Sequence, residues 1–241
     1  MPVQEVLLLA VTRMLGGVCL AGMTQEADPV TGLCWVRPVR EYGHVLLGDI
    51  TTPDGQVLHP FDVVEFDLLH PHSTPPHVED WIADFVRHRP RIVRRLADER
   101  RSTFLRKYLD KAPEEVLQRQ ERSLCLFKPD WVKGVFRLDS YSGDLDARLC
   151  FGRGRHKYLG SVPKGGLAVT DLRWRALGHT WVPAGTRWID FDEGDLETRL
   201  GLREIYLAVG LTRSHEGSHW PIVIGVHTVP DYQAVIDYEN L

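Results

Sequence analysis

The sequence predicts a mainly β fold with a helical insert, an α+β order, and three observations lead there. Up to residue 69, short segments rich in apolar and β-branched residues are separated by Gly, Pro, Asp and Thr clusters. A stretch with helical periodicity follows within residues 87–122. From Ser123 onward strand patterns return.

In chain order, EVLLLAVT (5–12), GVCLAGM (17–23), LCWVRPV (33–39) and DVVEFDLL (62–69) read as strands of a compact β unit. HPHSTPPH (70–77) holds three prolines, which remove donors and fix φ, so it is expected as a rigid surface connection and not as a central strand or helix. After VEDWIADF comes PRIVRRLADERRSTFLRKYLD (90–110), which reads as a helix with Pro90 in its first turn. Val93, Leu96, Ala97, Phe104 and Tyr108 would form its apolar stripe, with Arg91, Arg94, Arg95 and Arg106 opposite. A second, short helix is expected from Pro113 (PEEVLQRQ). SLCLF, WVKGVFRL, DARLCF, LAVTDLRW, REIYLAVGLT and HWPIVIGVHTV then read as strands. The expected division is a β unit at 1–86, a basic helical linker at 87–122 and a second β unit at 123–241. Five or so strands in about seventy residues match the size of an OB-like barrel, an SH3-like barrel or a sandwich, and periodicity does not separate these.

At 241 residues and 43% apolar content the chain can bury one large core or two small ones. Its net charge of −4 conceals a strong asymmetry. Residues 1–86 carry three cations and twelve acids, residues 87–175 twenty-two and eleven, and residues 176–241 four and ten. Arg outnumbers Lys 23 to 6, which suits planar recognition of phosphate or nucleic acid. The alternative is that the basic middle packs against the acidic ends, of the same chain or a second copy, or against a protein partner. No run of eighteen apolar residues exists, and the start lacks a basic region ahead of its apolar run, so neither a membrane span nor a secretory signal is expected. Four widely spaced cysteines without a CxxC pair fit buried thiols in a reducing cytoplasm, with a Cys19–Cys34 disulfide left open.

LLLAVTR, GGVCLAG, WVRPV, PFDVVEFDLL with HVEDW, YSGDLDARLCFG, GLAVTDLRWRAL and IYLAVGLT together resemble the prokaryotic dual OB-containing domain family. The resemblance spans nearly the whole chain and implies two OB-type barrels joined by a helical segment. It also implies nucleic-acid or nucleotide recognition, by fold analogy and by association with defence and nucleic-acid processing. No catalytic residue carries over from it.

The residues themselves offer several candidate ligand contacts. Trp35 and Arg37 share a strand face, where a ring can stack on a base and a guanidinium can pair with phosphate; Arg40 follows beyond Pro38. The bland alternative for this pair is a core Trp with Arg37 paired to an acid such as Glu65. The expected basic helix over 87–107, with nine cations against two acids, includes Arg91, Arg94 and Arg95. FGRGRHKYLG (151–160) supplies Arg153, Arg155, His156, Lys157 and Tyr158, followed by Lys164 in PKGG and by Arg173 and Arg175 in DLRWRAL. A P-loop is excluded, because GxxxxGK[ST] is missing.

His70, His72 and His77 with Glu79 and Asp80 lack metal-ligand spacing, so no metal site is expected and HVEDW is read as a structural lock. The chain is therefore expected to bind single-stranded nucleic acid or a nucleotide without catalysis and without a cofactor. The rival is a processing enzyme in which Mg²⁺ sits on acids such as Asp144, Asp146, Asp171, Asp190 or Asp192. An adaptor docking through its basic middle is the third reading.

Overall fold

The computed structural model describes residues 3–14, 16–161 and 165–238. The chain forms two compact units: Met1–Thr103 with Glu115–Leu124, and Phe104–Glu114 with Cys125–Leu241. The segment expected as a linker is thus shared out between them.

The first unit holds a seven-stranded sheet of β1 (Gln4–Met14), β2 (Gly17–Met23), β3 (Trp35–Val39), β4 (Asp62–Phe66), β5 (Leu68–Pro71), β6 (Asp80–Ala83) and β7 (Arg91–Arg95), in the order β5-β6-β3-β2-β1-β4-β7. β1 is central, and Val6 to Val11 are all buried. A strand covered on both faces reads as a continuous apolar run, as LLLAV does. Its register with β2 breaks between Leu8 and Ala10, which bends the strand and helps the sheet curl in the OB-like manner expected. Gly22 permits the close approach of β2 to β1, since a Cβ there would lie 2.3 Å from the Leu7 carbonyl oxygen. Pro71 closes β5 at the sheet edge, where its missing donor breaks no central ladder.

The helix expected from Pro90 begins only at Asp98, as α1 (Asp98–Lys107), with α2 (Pro113–Arg119) following. RIVRR is instead β7, antiparallel to β4, with Arg91 opposite Glu65 and Arg95 opposite Asp62. A five-residue run with apolar residues at its centre fits either period, and here strand pairing with complementary charges prevails over the helical pattern.

The second unit contains β8 (Leu124–Phe127), β9 (Trp131–Leu138), β10 (Leu145–Arg153), β11 (His156–Tyr158), β12 (Leu167–Ala168), α3 (Leu172–Trp181), β13 (Trp188–Asp192), α4 (Glu193–Leu200), β14 (Glu204–Leu211) and β15 (Pro221–Val229). One sheet runs β11-β10-β9-β13 with β12 against β10; the other runs β15-β14-β8. The chain passes between them where Val169 N donates to Ala147 O and Thr170 N to Val223 O, both at 2.9 Å.

LAVTDLRW is not one strand. Only Leu167–Ala168 forms a strand, with Val169 bridging to Val223, because Asp171 ends the extended run by capping α3, its Oδ1 accepting from the Arg173 and Trp174 amides. The α3 face of Leu172, Trp174, Leu177, Gly178 and Trp181 is buried. Trp174 and Trp181 pack around Phe136 and Phe191, with Phe136 and Phe191 themselves 4.8 Å apart at their centroids. A Cβ on Gly178 would come within 2.6 Å of the Phe136 ring, so glycine sets how close the helix lies. α3 therefore covers the face of β9, β10 and β13 that carries Phe136, Ala147 and Phe191. The alternate residues of these strands point the other way.

All four cysteines are free thiols. No helix among the described residues is long and apolar enough to cross a membrane.

Asp171 also accepts from the Val226 amide at 2.7 Å through its other oxygen. Asp171→Ala removes a cap worth about 1 kcal/mol and leaves a buried amide unpaired at about 1–3 kcal/mol. Urea unfolding of the second unit is expected to show a loss of about 2–4 kcal/mol. Burial pushes the Asp171 carboxyl up to about 6, against the pull of its amide donors and Arg173. The folded chain then keeps a proton that the unfolded chain has released, a contribution to stability present in full below pH 3.8 and lost as pH rises through about 6. Wild type should lose stability relative to Asp171→Asn across that window.

Candidate functional site

Trp35 and Arg37 do share a face of β3, but the face is inward: they are 2% and 6% exposed. They are therefore not ligand contacts. Arg37 Nε donates to Asp80 Oδ1 at 2.5 Å, and its Nη2 meets His77 Nδ1 at 2.8 Å and Ser123 Oγ at 3.3 Å. Burial alone would lower the pKa of this guanidinium; the charges of Asp80, Cys19 and Glu79 reverse that and raise it. Glu79 is fully buried and accepts from the Ser123 amide, the Ser123 hydroxyl and the Leu124 amide at 2.7, 2.9 and 2.8 Å. Burial raises its pKa, opposed by these hydrogen bonds and by Arg37. HVEDW is thus the clasp on Arg37, while Glu65 pairs with Arg91.

The other cations expected to bind ligand in this unit are also engaged. Arg40 reaches Asp49 at 2.8 Å, Arg91 reaches Glu65 at 2.6 Å, Arg94 reaches Glu5 at 2.7 Å and Arg95 reaches Asp62 at 3.0 Å. The solvated helix face drawn from the sequence is a strand whose guanidinium groups answer acids brought in from β1 and β4.

In the second unit, Arg153 binds Glu114 at 2.6 Å and the Lys111 carbonyl at 3.2 Å. Tyr158 stacks on Phe151 at 4.9 Å and meets the edge of Phe127, and burial followed by the Glu114 charge pushes its hydroxyl up to about 12. It is a packed aromatic more than an open platform. Arg173 is held by Asp231 and the Tyr232 carbonyl and lies over the Tyr232 ring, so it fastens α3 to the chain after β15. Arg175 is half-buried on α3, where its charge adds to burial in lowering the His179 pKa. Arg155, His156 and Lys157 are exposed around the β10–β11 turn and make no ion pair among the described residues. Lys164 lies outside the described residues.

The face of β9, β10 and β13 turned away from α3 forms a different site. In register across it lie Trp188, Arg137 and Asp146, then Asp190, Val135 and Arg148, then Asp192, Lys133 and Cys150. A pocket of about 620 Å³ opens here, with Val135 in its floor and Lys133, Arg137 and Asp190 on its walls. Leu159 and Gly165 bound one side, where Cys150 Sγ lies 3.7 Å from the Leu159 carbonyl and 3.5 Å from that of Gly165. Burial raises the Cys150 pKa, and nearby Lys133 works against it.

Among the described residues no ion pair holds Lys133 or Arg137, in contrast to Arg148, which Asp146 binds at 2.7 Å. Trp188, across from Arg137, is 57% exposed. Asp192 and Asp195 cap α4 reciprocally, each accepting from the other's amide at 3.2 and 3.0 Å, which leaves Asp190 as the uncommitted acid of the pocket. Sequence reasoning missed Lys133, Arg137 and Trp188. Their signal is the alternation in WVKGVFRL and WIDFD, which places them on one face once the strands are paired.

The family described as dual OB-containing domain matches residues 4–180. No curated protein and no solved structure matches the chain.

Arg37→Ala would strip a buried carboxylate of its counter-charge, a change that costs about 3–5 kcal/mol in such settings. Chemical denaturation is expected to show that loss. Arg91→Ala and Arg94→Ala, which break exposed pairs, should each change stability by about 1 kcal/mol or less.

Proposed function

From the premise that the chain belongs to the dual OB-containing domain family, we propose that it binds single-stranded nucleic acid or a nucleotide on the face of β9, β10 and β13, as a binding module that performs no chemistry itself. The observation that carries this reading is that two uncommitted cations, Lys133 and Arg137, line one concave pocket, with the exposed Trp188 beside Arg137 on the same strand face. A ring offers a base a stacking surface worth about 1–3 kcal/mol, and the cations answer phosphate. A pocket of about 620 Å³ falls in the size range of small-ligand sites. Farther along β10, about 10 Å from Cys150 at the usual strand rise, Arg155, His156 and Lys157 add exposed positive groups that a longer strand could follow.

The arrangement of acids supports binding over metal-assisted cleavage. Asp192 and Asp195 each spend an oxygen on capping α4, Asp146 pairs with Arg148 and Asp171 caps α3, and among the described residues no convergent group of three potential metal ligands includes Asp190.

Fluorescence anisotropy with labelled single strands, duplexes and mononucleotides across a salt series tests the proposal. Affinity for a single strand should fall steeply with salt, and Lys133→Gln with Arg137→Gln should reduce the log–log slope by about 1.4, at about 0.7 per lost phosphate contact. Trp188→Ala should weaken binding by about 5- to 150-fold, whereas Arg91→Ala should leave it unchanged. Binding that none of these face variants alters, or capture of a protein partner with no nucleic acid or nucleotide bound, would overturn the reading.

A further inference from the structure

Four carboxylates on the strands of the first sheet, Glu5, Asp62, Glu65 and Asp80, each meet a guanidinium. Asp67 and Asp84 instead face each other, and the group in contact with both is the imidazole of His88. The Arg87 guanidinium adds a through-space charge on Asp84, and its amide donates to the same carboxylate.

Topology forces the two acids together. Asp67 immediately precedes β5 and Asp84 immediately follows β6, two antiparallel strands in which Leu68 lies opposite Ala83. The Asp84 amide donates to the Asp67 carbonyl at 3.0 Å, so the carboxylates are cross-strand neighbours, an arrangement that destabilises through repulsion unless a cation intervenes. Asp84 Oδ1 accepts from the Val86 and Arg87 amides and turns the chain back; Oδ2 is left facing His88. His88 Nδ1 lies 2.9 Å from Asp67 Oδ2 and 3.8 Å from Asp84 Oδ2, and the three atoms are all within 4.8 Å of one another.

We propose that Asp67, Asp84 and His88 form a divalent transition-metal site, with zinc the best-suited ion. Ligands at about 2.0–2.1 Å from a tetrahedral zinc stand about 3.3–3.4 Å apart, and the two imidazole distances bracket that edge length. One imidazole nitrogen with two carboxylate oxygens suits zinc or a neighbouring first-row ion better than magnesium or calcium, which favour all-oxygen shells. A divalent ion would neutralise both acids at once, whereas a protonated His88 offsets only one. The carboxylates are 14% and 17% exposed and the imidazole 59%, so the site is open on the histidine side, where a fourth ligand can enter. The sequence drew attention to His70, His72 and His77 instead, because residues 67 and 84 are brought together only by the β5–β6 pairing.

The test uses the full chain, stripped with a chelator and titrated calorimetrically with zinc chloride alone, with cobalt(II) absorption as a readout of tetrahedral coordination. One equivalent is expected to bind, with a rise in melting temperature. His88→Ala and Asp67→Asn should each weaken binding more than tenfold, while the His70→Ala/His72→Ala pair keeps it. Circular dichroism of the His88→Ala chain checks that its fold is intact. Absence of a stoichiometric site in wild type, unchanged binding in His88→Ala, or equal affinity for magnesium would overturn the proposal; the first would leave Asp67 and His88 as a simple side-chain contact.

Discussion

The buried guanidinium of Arg37 is the constraint on which the first unit depends. A charge so enclosed is tolerable only if its donors are answered, and the answers come from Asp80, His77 and Ser123, residues remote from it in sequence. Arg37 and Asp80 are direct register partners on the parallel strands β3 and β6. A slip of one residue would turn Asp80 to the opposite face and leave both charges unpaired in the interior, so the ion pair specifies the register as well as the contact. The adjacent Glu79 turns its carboxylate to Ser123 and Leu124. Two successive acids thereby fasten different parts of the unit.

The second unit is organised by an analogous but smaller device. Asp171 has three amide donors, two at the start of α3 and one on β15, and this fixes where the extended chain after β12 becomes a helix. α3 then fills one face of β9, β10 and β13 with Trp174 and Trp181. Residues of opposite parity on those strands are left to other uses, and the candidate pocket follows from the position of the helix.

Much of the fold was legible because its signals are local. The β1 and β2 runs, Pro113 at a helix start and the apolar strands β14 and β15 all lie within a few residues of where they were expected, whereas 70–77, expected as a surface connection, gives its first two residues to β5 and buries His77. What failed was non-local. Parity correctly places Trp35 and Arg37 together but says nothing about which face of β3 is buried. RIVRR looks helical until Glu65 and Asp62 are set beside it, and DLRW looks extended until Asp171 is seen to cap it. Lys133 and Arg137 sat in a correctly expected strand, yet only α3 on the far face shows that theirs is the open one.

The basic middle of the sequence, which suggested a single extended phosphate-binding surface, separates into parts with different physical causes. Exposed pairs such as Arg91–Glu65 and Arg94–Glu5 add little stability, each about 0–1 kcal/mol, so stability does not account for their number. Their position does: β7 is an edge strand, and a row of charged side chains discourages pairing with another chain. Those arginines are explained without any ligand. Lys133 and Arg137, on the inner strand β9, and Arg155, in the β10–β11 turn, have neither an edge to protect nor an acid to answer among the described residues. A cation left uncommitted beside a pocket keeps its full attraction for an incoming anion, because no intramolecular pair has to be broken first. Under the proposed reading, contact with phosphate falls to these few residues, and the larger arginine count belongs to the architecture.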